Sequence, residues 1–579
     1  MIVRMKKITL ITQSKDIDSV LESVRRLGLL HVEHENAPSG GNIAALKEKL
    51  NRVSEAIAVL PDIKNQAAAD NKEDSLIDEI TALLDEKETL IEELQILERD
   101  METWEEWGNF NPSLIESLKS KNIWVRLCKV SVQEMKNVPE TVVLEKIFQK
   151  GNIFYCAIIS RKEIGLPFET LALPKMGMEE MLLEEKKYEK RFIEIEKRFL
   201  EIAAYKNALR DHENNLSSLI EFSEVREGSG RFEKLSYIKG YLPADQIGII
   251  EAVASKEKWG IVTSDPGGND IPPTLIKNSK LVKIIKPMFD IIGTIPGYRE
   301  VDISPHFLIF FSIFFGMLIG DVGYGLTYFL IALIAQKRLK AIKDKSIFFL
   351  TYVLASFAIT WGLLTGVFFG PHPWIKPLMP YFTDNTNVQA FCFLIGVVQL
   401  SVAHIWKFLR KWPSLKALSD IGWICVLWSA YFLAKSLILN FEFPGFMKWI
   451  FIAGSGLIIL FTNPVKNVFA GIGTGLGDFL LKLVNSFADI VSYIRLFAVG
   501  LAGVAIADAF NQIAANIGAA SILNGFLSVF VLFAGHTLNL GLGILSILVH
   551  GVRLNVLEFS GHMDMEWSGT EYSPFKIKD

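Results

Sequence analysis

The sequence predicts an α-helical membrane protein with a soluble α+β domain at its N-terminus, and that domain contains an antiparallel coiled-coil arm. Three observations lead to this fold class. Residues 1–300 are rich in Lys and Glu, whereas residues 301–560 are rich in Phe, Leu, Ile and Gly and carry few charges. Two segments of the first half show the apolar spacing of a coiled coil. The second half contains several apolar runs of membrane-spanning length.

Composition limits the classes of function. The chain has 579 residues, 50% of them hydrophobic, and this length exceeds what a single soluble core usually supports. The net charge of -4 gives no support for binding to nucleic acid. The four cysteines lie far apart and predict buried thiols, not a metal site. The N-terminus is charged within a few residues and lacks the apolar stretch of a signal peptide, so the first half is expected in the cytoplasm.

The N-terminal domain, residues 1–300, is predicted to begin and end in small α/β lobes. Residues 5–32 read as a strand, a helix and a second strand. Residues 237–264 repeat this order. We therefore assign the proximal lobes to residues 1–40 and 230–270.

A long arm is predicted between the proximal lobes. Apolar residues recur at steps of four and three from Leu76 to Met101, and again from Tyr188 to Leu209, which indicates two coiled-coil seams. The arm comprises residues 41–104 and 176–220 and brackets a distal α/β lobe, residues 105–175. Ordinary internal helix packing gives the same pattern. We interpret it as a rigid lever that grips a partner at its tip.

The membrane domain, residues 301–560, is predicted to contain eight transmembrane helices, with two long tilted ones at the C-terminus. Its first apolar run, 303–335, contains the break signal GMLIGDVGYG with four glycines and Asp321. Basic loops follow the first and third runs, and positive loops favour the cytoplasmic side. Both loops are cytoplasmic only if 303–335 forms a hairpin, so we predict a hairpin and a cytoplasmic tail at 561–579. The basic loop residues are Lys337, Arg338, Lys340, Lys343, Lys345, Lys407, Arg410, Lys411 and Lys416.

Alternating glycines at 471–477 give weak support for a phosphate loop, because no P-loop Lys-Ser/Thr and no βαβ context accompany them. We interpret residues 464–485 as an amphipathic segment at the cytoplasmic face. The sequence carries no Walker-type motif and no cofactor or metal motif, so the chain is not expected to hydrolyse nucleotide itself.

The predicted seventh helix, 486–510, carries Arg495 several turns from either end. A charged residue at such depth costs roughly 2.5–3.5 kcal/mol on insertion scales, so it indicates function unless it reaches the surface or pairs within the bundle. Small residues follow it and permit close helix approach. A fixed arginine beside a smooth face suits a surface past which another element slides. The small residues are Ala498, Gly500, Ala502, Gly503, Ala505 and Ala507.

Further polar residues lie in the predicted membrane helices. Arg553 is near a helix end, where an anchoring role and a functional role both stay open. Asp489 and Asp508 are either solvated helix ends or relay groups. We interpret Gln399 and His404 as interhelical hydrogen-bond groups. The eighth helix, 522–557, also carries Asn539 and His550 and leads into Glu558.

Five motifs stand in a fixed order: PPTLIKN (272–278), FFGMLIGDVGYG (314–325), SYIRLFAVGLAG (492–503), HGVRLNVLEF (550–559) and EYSPF (571–575). In order and spacing the chain resembles the membrane stator subunit of V-type and archaeal-type rotary ATPases. That family is called subunit a in eukaryotes and subunit I in bacteria and archaea. Each motif alone is modest, whereas all five together are highly specific.

The resemblance implies a non-catalytic subunit that forms ion half-channels against a proteolipid rotor ring and anchors peripheral stalks. It further implies partners in the soluble ATPase sector, the central stalk and the lipid membrane. It places the family's essential arginine on Arg495 and its second arginine on Arg553. Gly503 stands where eukaryotic members carry a histidine, which indicates a prokaryotic form in the plasma (inner) membrane.

The candidate ion-translocation residues are Arg495, Arg553, His550, Asp489, Asp321 and Glu558. A rotor carboxyl group that faces lipid must be neutral, whereas near Arg495 its ionised form is favoured, so an ion leaves there. Arginine keeps its proton at any working pH and cannot relay one. Both H⁺ and Na⁺ stay open as the ion. The alternative functions are a secondary transporter or channel, although no internal repeat is found, and a purely structural membrane anchor.

Overall fold

The computed structural model describes residues 1–577 except for 39, 64–72, 132–141, 163–168, 340–343, 373–374, 463–467 and 519. The chain forms two compact units. One comprises Met1–Leu10, Leu29–His31 and Gly240–Pro574, and the other comprises Ile11–Gly28, Val32–Lys239 and Phe575–Asp579. Lys340 and Lys343 of the first predicted basic loop lie outside the described residues.

The described helices follow one another along the whole chain. They are α1 (Ile17–Leu27), α2 (Gly41–Val59), α3 (Glu73–Trp104), α4 (Pro112–Lys119), α5 (Met178–Ile202), α6 (Lys206–Glu227), α7 (Ile247–Glu257), α8 (Lys280–Lys283), α9 (Lys286–Ile292), α10 (Ser304–Ile319), α11 (Val322–Arg338), α12 (Ser346–Thr365), α13 (Asn385–Lys411), α14 (Ala417–Leu439), α15 (Met447–Phe461), α16 (Val468–Ser492), α17 (Ile494–Ile517), α18 (Ile522–Ser546) and α19 (Ser560–His562). The described strands are β1 (Met5–Gln13), β2 (His31–Glu33), β3 (Trp124–Ser131), β4 (Val143–Lys150), β5 (Ile153–Ser160), β6 (Glu169–Leu171), β7 (Gly230–Phe232), β8 (Leu235–Pro243) and β9 (Gly260–Ser264).

The N-terminal segment has the predicted strand–helix–strand order. β1 leads to α1, Gly28 ends α1 in the left-handed conformation at φ 62°, and β2 follows. β8, α7 and β9 repeat this order much later in the chain. Both sets of strands enter one sheet, with the order β2–β8–β1–β9 and with β7 paired to β8.

Helices α3 and α5 lie side by side and run in opposite directions. Arg198 Nε is 2.6 Å from Glu79 Oε1, and Arg191 Nε is 2.6 Å from Glu86 Oε1. The higher-numbered residue of α5 thus pairs with the lower-numbered residue of α3, so the two helices are antiparallel. The buried residues of the two predicted seams are Ile80, Leu90, Leu97, Ile195, Phe199, Ile202 and Leu209. A rigid lever remains a prediction.

The second predicted seam is not one continuous helix. A single 3-10 turn at Ala203–Tyr205 separates α5 from α6. Lys206, the polar intruder in the seam, begins α6 and is buried, with its Nζ 2.9 Å from Asp62 Oδ1. The hydrogen bond from Lys206 lowers the pKa of the Asp62 carboxyl. The ion pair therefore lets a lysine occupy a core position.

A four-stranded antiparallel sheet with the order β4–β5–β3–β6 lies between α4 and α5 in the chain. Cys128 on β3 is directly opposite Cys156 on β5, and both are buried. Burial raises the pKa of the Cys128 thiol to about 11, so this thiol is unreactive at neutral pH. Cys392 is also buried as predicted, whereas Cys425 is only half-buried.

Five stretches of the described chain are long and apolar enough to cross a membrane: Ser346–Thr365, Asn385–Lys411, Ala417–Leu439, Phe479–Ile517 and Ile522–His562. Two shorter apolar helices are Ser304–Ile319 and Met447–Phe461. Helix α11, with 17 residues, follows the first of these two. A membrane protein is therefore established, and eight crossings remain a prediction.

The first apolar run reverses its direction where the sequence predicts a break. A Cβ on Gly316 would lie 2.8 Å from Phe357 O, and one on Gly320 would lie 3.7 Å from the Trp361 ring, so α10 runs parallel to α12. Helix α11 runs the opposite way, because its first residue, Val322, meets Gly362 near the end of α12. Its Gln336 accepts a hydrogen bond from the Tyr352 hydroxyl at 2.7 Å, nearer the beginning of α12.

The reversal is held by Asp321, which is 1% exposed. Its Oδ1 accepts hydrogen bonds from Tyr324 N at 3.1 Å and from Phe369 N at 2.9 Å. Its Oδ2 accepts one from Gly370 N at 2.9 Å. Gly320 supplies the left-handed residue of the turn at φ 59°. One carboxylate therefore caps α11 and also ties the turn to the segment that follows α12.

The last two predicted membrane helices differ from the expectation. The predicted helix 486–510 is interrupted at Tyr493, so that α16 ends at Ser492 and α17 extends to Ile517. Arg495 is the second residue of α17, but the apolar helical stretch Phe479–Ile517 continues through Tyr493, so Arg495 lies several turns from either end of that stretch, as predicted. The predicted helix 522–557 changes from α to π geometry at Ile547–Gly551 and again at Leu554–Phe559. Hydrophobic periodicity gives no signal for either change.

Candidate functional site

Arg495 lies at the start of α17, directly after the interruption at Tyr493. Its Nε donates to Ser492 O at 2.9 Å, which ties the guanidinium to the end of α16. Nη2 of the same guanidinium forms an ion pair with Oε1 of Glu558, whose side chain is 5% exposed. The side chain of Arg495 is 23% exposed. Because it bonds two different elements at once, this charge is fixed in place.

Arg553 shares the same acidic partner. Its Nε is 3.6 Å from Glu558 Oε1, although its side chain is 55% exposed. Residues five apart lie on different faces of an α-helix, whereas a π-helix, with hydrogen bonds between residues five apart, stacks them. The π-helical turns therefore explain why Arg553 and Glu558 face each other. His550 precedes Arg553 on the first of these turns and is close enough to interact electrostatically with both arginines.

Buried amide and hydroxyl groups continue this cluster into the bundle. Tyr493 Oη donates to Gln399 Oε1 at 2.8 Å, and Gln399 Nε2 donates to Asn555 Oδ1 at 2.9 Å. Asn555 Nδ2 in turn donates to Gly551 O at 3.1 Å. All three side chains are fully buried. Gln399 thus has the interhelical role that the sequence predicts, while Tyr493 and Asn555 were not anticipated.

Two histidines connect Asp489 to a second carboxylate. His562 Nε2 is 3.1 Å from Asp489 Oδ2, and His562 Nδ1 is 3.0 Å from His404 Nε2. His404 Nδ1 is 3.2 Å from Asp420 Oδ1, and Lys411 Nζ donates to Asp420 Oδ2 at 2.7 Å. This chain of ionisable groups runs from α16 through α19 to α13 and α14. His562 and Asp420 carried no motif, so only their proximity in the fold identifies them.

A second polar network lies farther along α17 and α18. Tyr324 Oη is 2.7 Å from His536 Nδ1, and Asn539 Nδ2 donates to the Tyr324 hydroxyl at 3.0 Å and to Gly503 O at 2.8 Å. His536 Nε2 is 3.2 Å from Asn511 Oδ1. Gly503 follows Arg495 by eight residues of α17, or about 12 Å at 1.5 Å per residue. Polar groups therefore contact α17 near Arg495 and again about 12 Å farther along the helix, with apolar residues between the two levels.

The six predicted residues do not all come together. The structure joins Arg495, Arg553 and Glu558 directly and brings His550 beside them. Asp489 belongs to the histidine chain. Asp321 is separate, because its three hydrogen bonds all come from backbone N–H groups at the reversal. This geometry gives Asp321 a structural role.

The small residues of α17 divide between two faces. Gly500 and Ala507 are buried, and a Cβ on Gly500 would lie 2.7 Å from Met317 O of α10. The other face is exposed and follows Arg495 at helical spacing. Only part of the predicted smooth surface is therefore available to a partner. The exposed small residues are Ala498, Ala502, Ala505 and Ala509, and Leu501 is exposed on the same face.

The cluster of Arg495, Arg553 and Glu558 carries a net positive charge. Glu558 Oε2 is buried and has no hydrogen-bond partner among the described residues, so one oxygen stays open as an acceptor. Two arginines against one carboxylate leave an excess positive charge, which favours the ionised form of a carboxyl group brought close to it. Within the described part of the chain, no His, Cys, Asp and Glu group has the geometry of a metal site.

Comparisons with known proteins identify the family. A V-type ATP synthase subunit I from Borreliella burgdorferi is 32% identical over 626 aligned residues, which cover 100% of this chain and 99% of that relative. The chain belongs to the V-type ATP synthase subunit I family. Membership makes it a subunit of a rotary ATP synthase, in agreement with the resemblance of its five motifs. No family model matches the sequence.

Other relatives of the subunit I family support this membership. V-type ATP synthase subunit I 1 from Treponema pallidum is 29% identical across 100% of both chains. A-type ATP synthase subunit I from Pyrococcus horikoshii is 24% identical and covers 72% of this chain and 64% of its own. A solved structure of the cytoplasmic N-terminal domain of subunit I, homolog of subunit a, of V-ATPase is 12% identical with a TM-score of 0.23; it covers 45% of this chain and 100% of its own.

Proposed function

We propose that this subunit forms two ion half-channels beside a rotor ring of proteolipids, with Arg495 as the fixed charge between them. The observation that carries the proposal is the fixed Arg495–Glu558 pair at the start of α17, on the face that continues as exposed alanines. A small-residue surface allows a second helix to approach closely and to slide. A charge at that surface acts on each passing rotor carboxyl group in turn.

The two polar networks support one half-channel each. The chain Asp489–His562–His404–Asp420 lies on the side of the basic loop between α13 and α14, and we assign it to the cytoplasmic half-channel. The network of Tyr324, His536 and Asn539 lies on the side of the predicted outer loops, and we assign it to the other half-channel. Histidine and carboxylate chains of this kind relay protons in membrane proteins.

The mechanism follows from charge. In lipid, a rotor carboxyl group binds H⁺ or Na⁺ because an isolated anion is costly there. Beside Arg495 the anion is stabilised, so the ion leaves into one half-channel and another binds from the other. Arg495 keeps its own proton and so separates the two half-channels. Ion pumping by reconstituted complexes that carry Arg495→Gln tests the proposal, and near-normal pumping would favour the purely structural anchor.

We further propose that the distal sheet anchors a peripheral stalk. β4 is an edge strand of that sheet, and its Val143 and Ile147 are 63% and 45% exposed. Among the described strands β4 pairs only with β5, and an edge strand with exposed apolar side chains is well suited to pairing with another chain. The arm helices α3 and α5 would transmit the resulting torque to the membrane domain.

Substitution of both Val143 and Ile147 by Glu is expected to weaken attachment of the soluble ATPase sector by about tenfold. The two carboxylates would be buried when another chain pairs with β4, and this burial opposes pairing. The measurement is the amount of soluble sector that stays on washed membranes. Ile193→Glu on α5, at a residue 67% exposed, is the matched control and should have no effect. Equal retention by the double variant and the control would contradict anchoring through β4.

The proposed orientation places the segment between α12 and α13 outside and the segment between α13 and α14 in the cytoplasm. Tyr381 and Leu415 are 58% and 61% exposed in these segments. An impermeant thiol reagent added to intact cells should label Tyr381→Cys and leave Leu415→Cys unlabelled until the cells are opened. The chain without either substitution is the control. Labelling in the opposite order would overturn the orientation and the count of eight helices.

A further inference from the structure

A cavity lies where the chain enters α10. Its volume is about 610 Å³, and it is lined by residues of 274–278, 283–296, 302–304 and 567–572. Two of these segments contain the motifs PPTLIKN and EYSPF, which the ion site does not use. The motifs bond to each other, since Thr274 N donates to Thr570 O at 2.7 Å and Tyr572 N donates to Thr274 O at 3.2 Å. These backbone hydrogen bonds therefore hold together the two segments that form one wall of the cavity.

Three buried polar atoms in this wall have no hydrogen-bond partner among the described residues: Thr274 Oγ1, Thr294 Oγ1 and Trp567 Nε1. Thr274 is 3% exposed. Buried polar groups are nearly always paired, so three unpaired ones around one cavity indicate a missing partner. The indole N–H can only donate, and both hydroxyls can donate, so the partner is rich in acceptor oxygens.

The charges around the cavity favour an anion. Lys283 and Lys286 line it, and in the described part of the chain neither has an ion-pair partner within 4 Å, although Asp344 interacts electrostatically with both. Asp302 is already neutralised by the N-terminal ammonium of Met1 at 2.5 Å. Asp290 and Glu571 also line the cavity, so it suits one compact phosphate group better than an extended polyanion.

The floor of the cavity is apolar and joins the core of the membrane helices. The ring of Phe289 is 4.8 Å from that of Phe307 in α10 and 6.0 Å from that of Trp567. Ile285 and Ile303 line the cavity and belong to the same core cluster. A ligand in this cavity would contact hydrogen-bond donors and lysines as well as apolar side chains. The complementary molecule is an amphiphile with a phosphate head.

We propose that this cavity binds the phosphate group of an anionic membrane phospholipid. Lys283 and Lys286 supply the positive charge, and Thr274, Thr294 and Trp567 donate hydrogen bonds to the phosphate oxygens. The site is independent of the proposed ion path. It would hold the junction between the soluble segments of this unit and α10 at the membrane surface, because the lipid is bound to both.

The test uses the full-length chain, delipidated in a neutral detergent and then mixed with phosphatidylglycerol, with native mass spectrometry as the measurement of bound lipid. The wild-type chain should retain phosphatidylglycerol in preference to phosphatidylcholine. Combined Lys283→Ala and Lys286→Ala substitutions should lower retention by about tenfold or more, and Thr274→Val should lower it several-fold, because charge-assisted bonds to phosphate are lost. Lys280→Ala is the matched control, since Lys280 is exposed on α8 but does not line the cavity.

Equal retention by the wild type, the double variant and the Lys280 control would overturn the site. A parallel titration with inorganic phosphate distinguishes the sources of the phosphate group. No displacement of the lipid at millimolar phosphate supports a phospholipid, whereas complete displacement would overturn the lipid assignment in favour of a free anion. Circular dichroism of each variant checks that the chain is folded, and the Thr274→Val result stays informative if the double lysine variant is unstable.

Discussion

Complexes that carry Arg495→Gln are expected to assemble and to lose ATP-driven ion pumping. An opposite charge lowers a carboxyl pKa by about 1–3 units, so its removal decreases the ionised fraction of the rotor carboxyl by about 10- to 1,000-fold. Arg495→Lys should be severely impaired too, because one ammonium cannot reproduce the bonds of the guanidinium to both Ser492 O and Glu558. The measurement is the initial rate of ion uptake by proteoliposomes.

The matched control for Arg495 is Arg410→Gln, which removes an exposed arginine near the end of α13. It should pump at nearly the wild-type rate. Assembly is checked by co-purification of the membrane and soluble subunits; Glu558 keeps Arg553 as an ion-pair partner in this variant, so the bundle is expected to stay folded. Pumping by the Arg495→Gln complex at more than about half of the control rate would be incompatible with a 10-fold or greater loss of ionised carboxyl.

Asp321→Ala is expected to abolish stable folding of the membrane domain, the second large effect. The substitution leaves the backbone N–H groups of Tyr324, Phe369 and Gly370 without their acceptor. Each buried unpaired group costs roughly 1–3 kcal/mol. The measurement is the yield and melting temperature of the chain in detergent, by size-exclusion chromatography after heating.

Asp321→Asn distinguishes the structural role from an ionic one. The amide keeps one acceptor oxygen and so preserves the bonds of Oδ1 while losing that of Oδ2, which predicts an intermediate melting temperature. Asp344→Ala is the control, because Asp344 also accepts a hydrogen bond at a helix start, from Ser346 N at 2.9 Å, but is exposed. A fully stable Asp321→Asn chain that cannot pump would instead make Asp321 a relay group.

Much of the fold was predictable because it depends on local signals. Gly28 marks the end of α1, and GMLIGDVGYG marks the reversal between α10 and α11, since glycine permits backbone that other residues resist. The two seams follow from apolar spacing, which reports which side of a helix is buried. These features need only a few neighbouring residues to be recognised.

The site was predictable only in part. Arg495 and Arg553 are recognisable as costly charges in apolar surroundings, whereas the partners that link them come from distant parts of the chain. His562 and His404 are 158 residues apart, and nothing local to either residue indicates that they meet. The interruption at Tyr493 was likewise missed, because the flanking sequence is uniformly helical in composition and the change is set by tertiary packing.

The π-helical turns at Ile547–Gly551 and Leu554–Phe559 make chain length a constrained property of this region. A π turn accommodates an additional residue without moving its flanks. Deleting one residue between Arg553 and Glu558 would return this turn to α geometry with the two residues four apart, a spacing at which they still face each other. An inserted residue would instead rotate Glu558 by about 100° around the helix axis and separate it from Arg553.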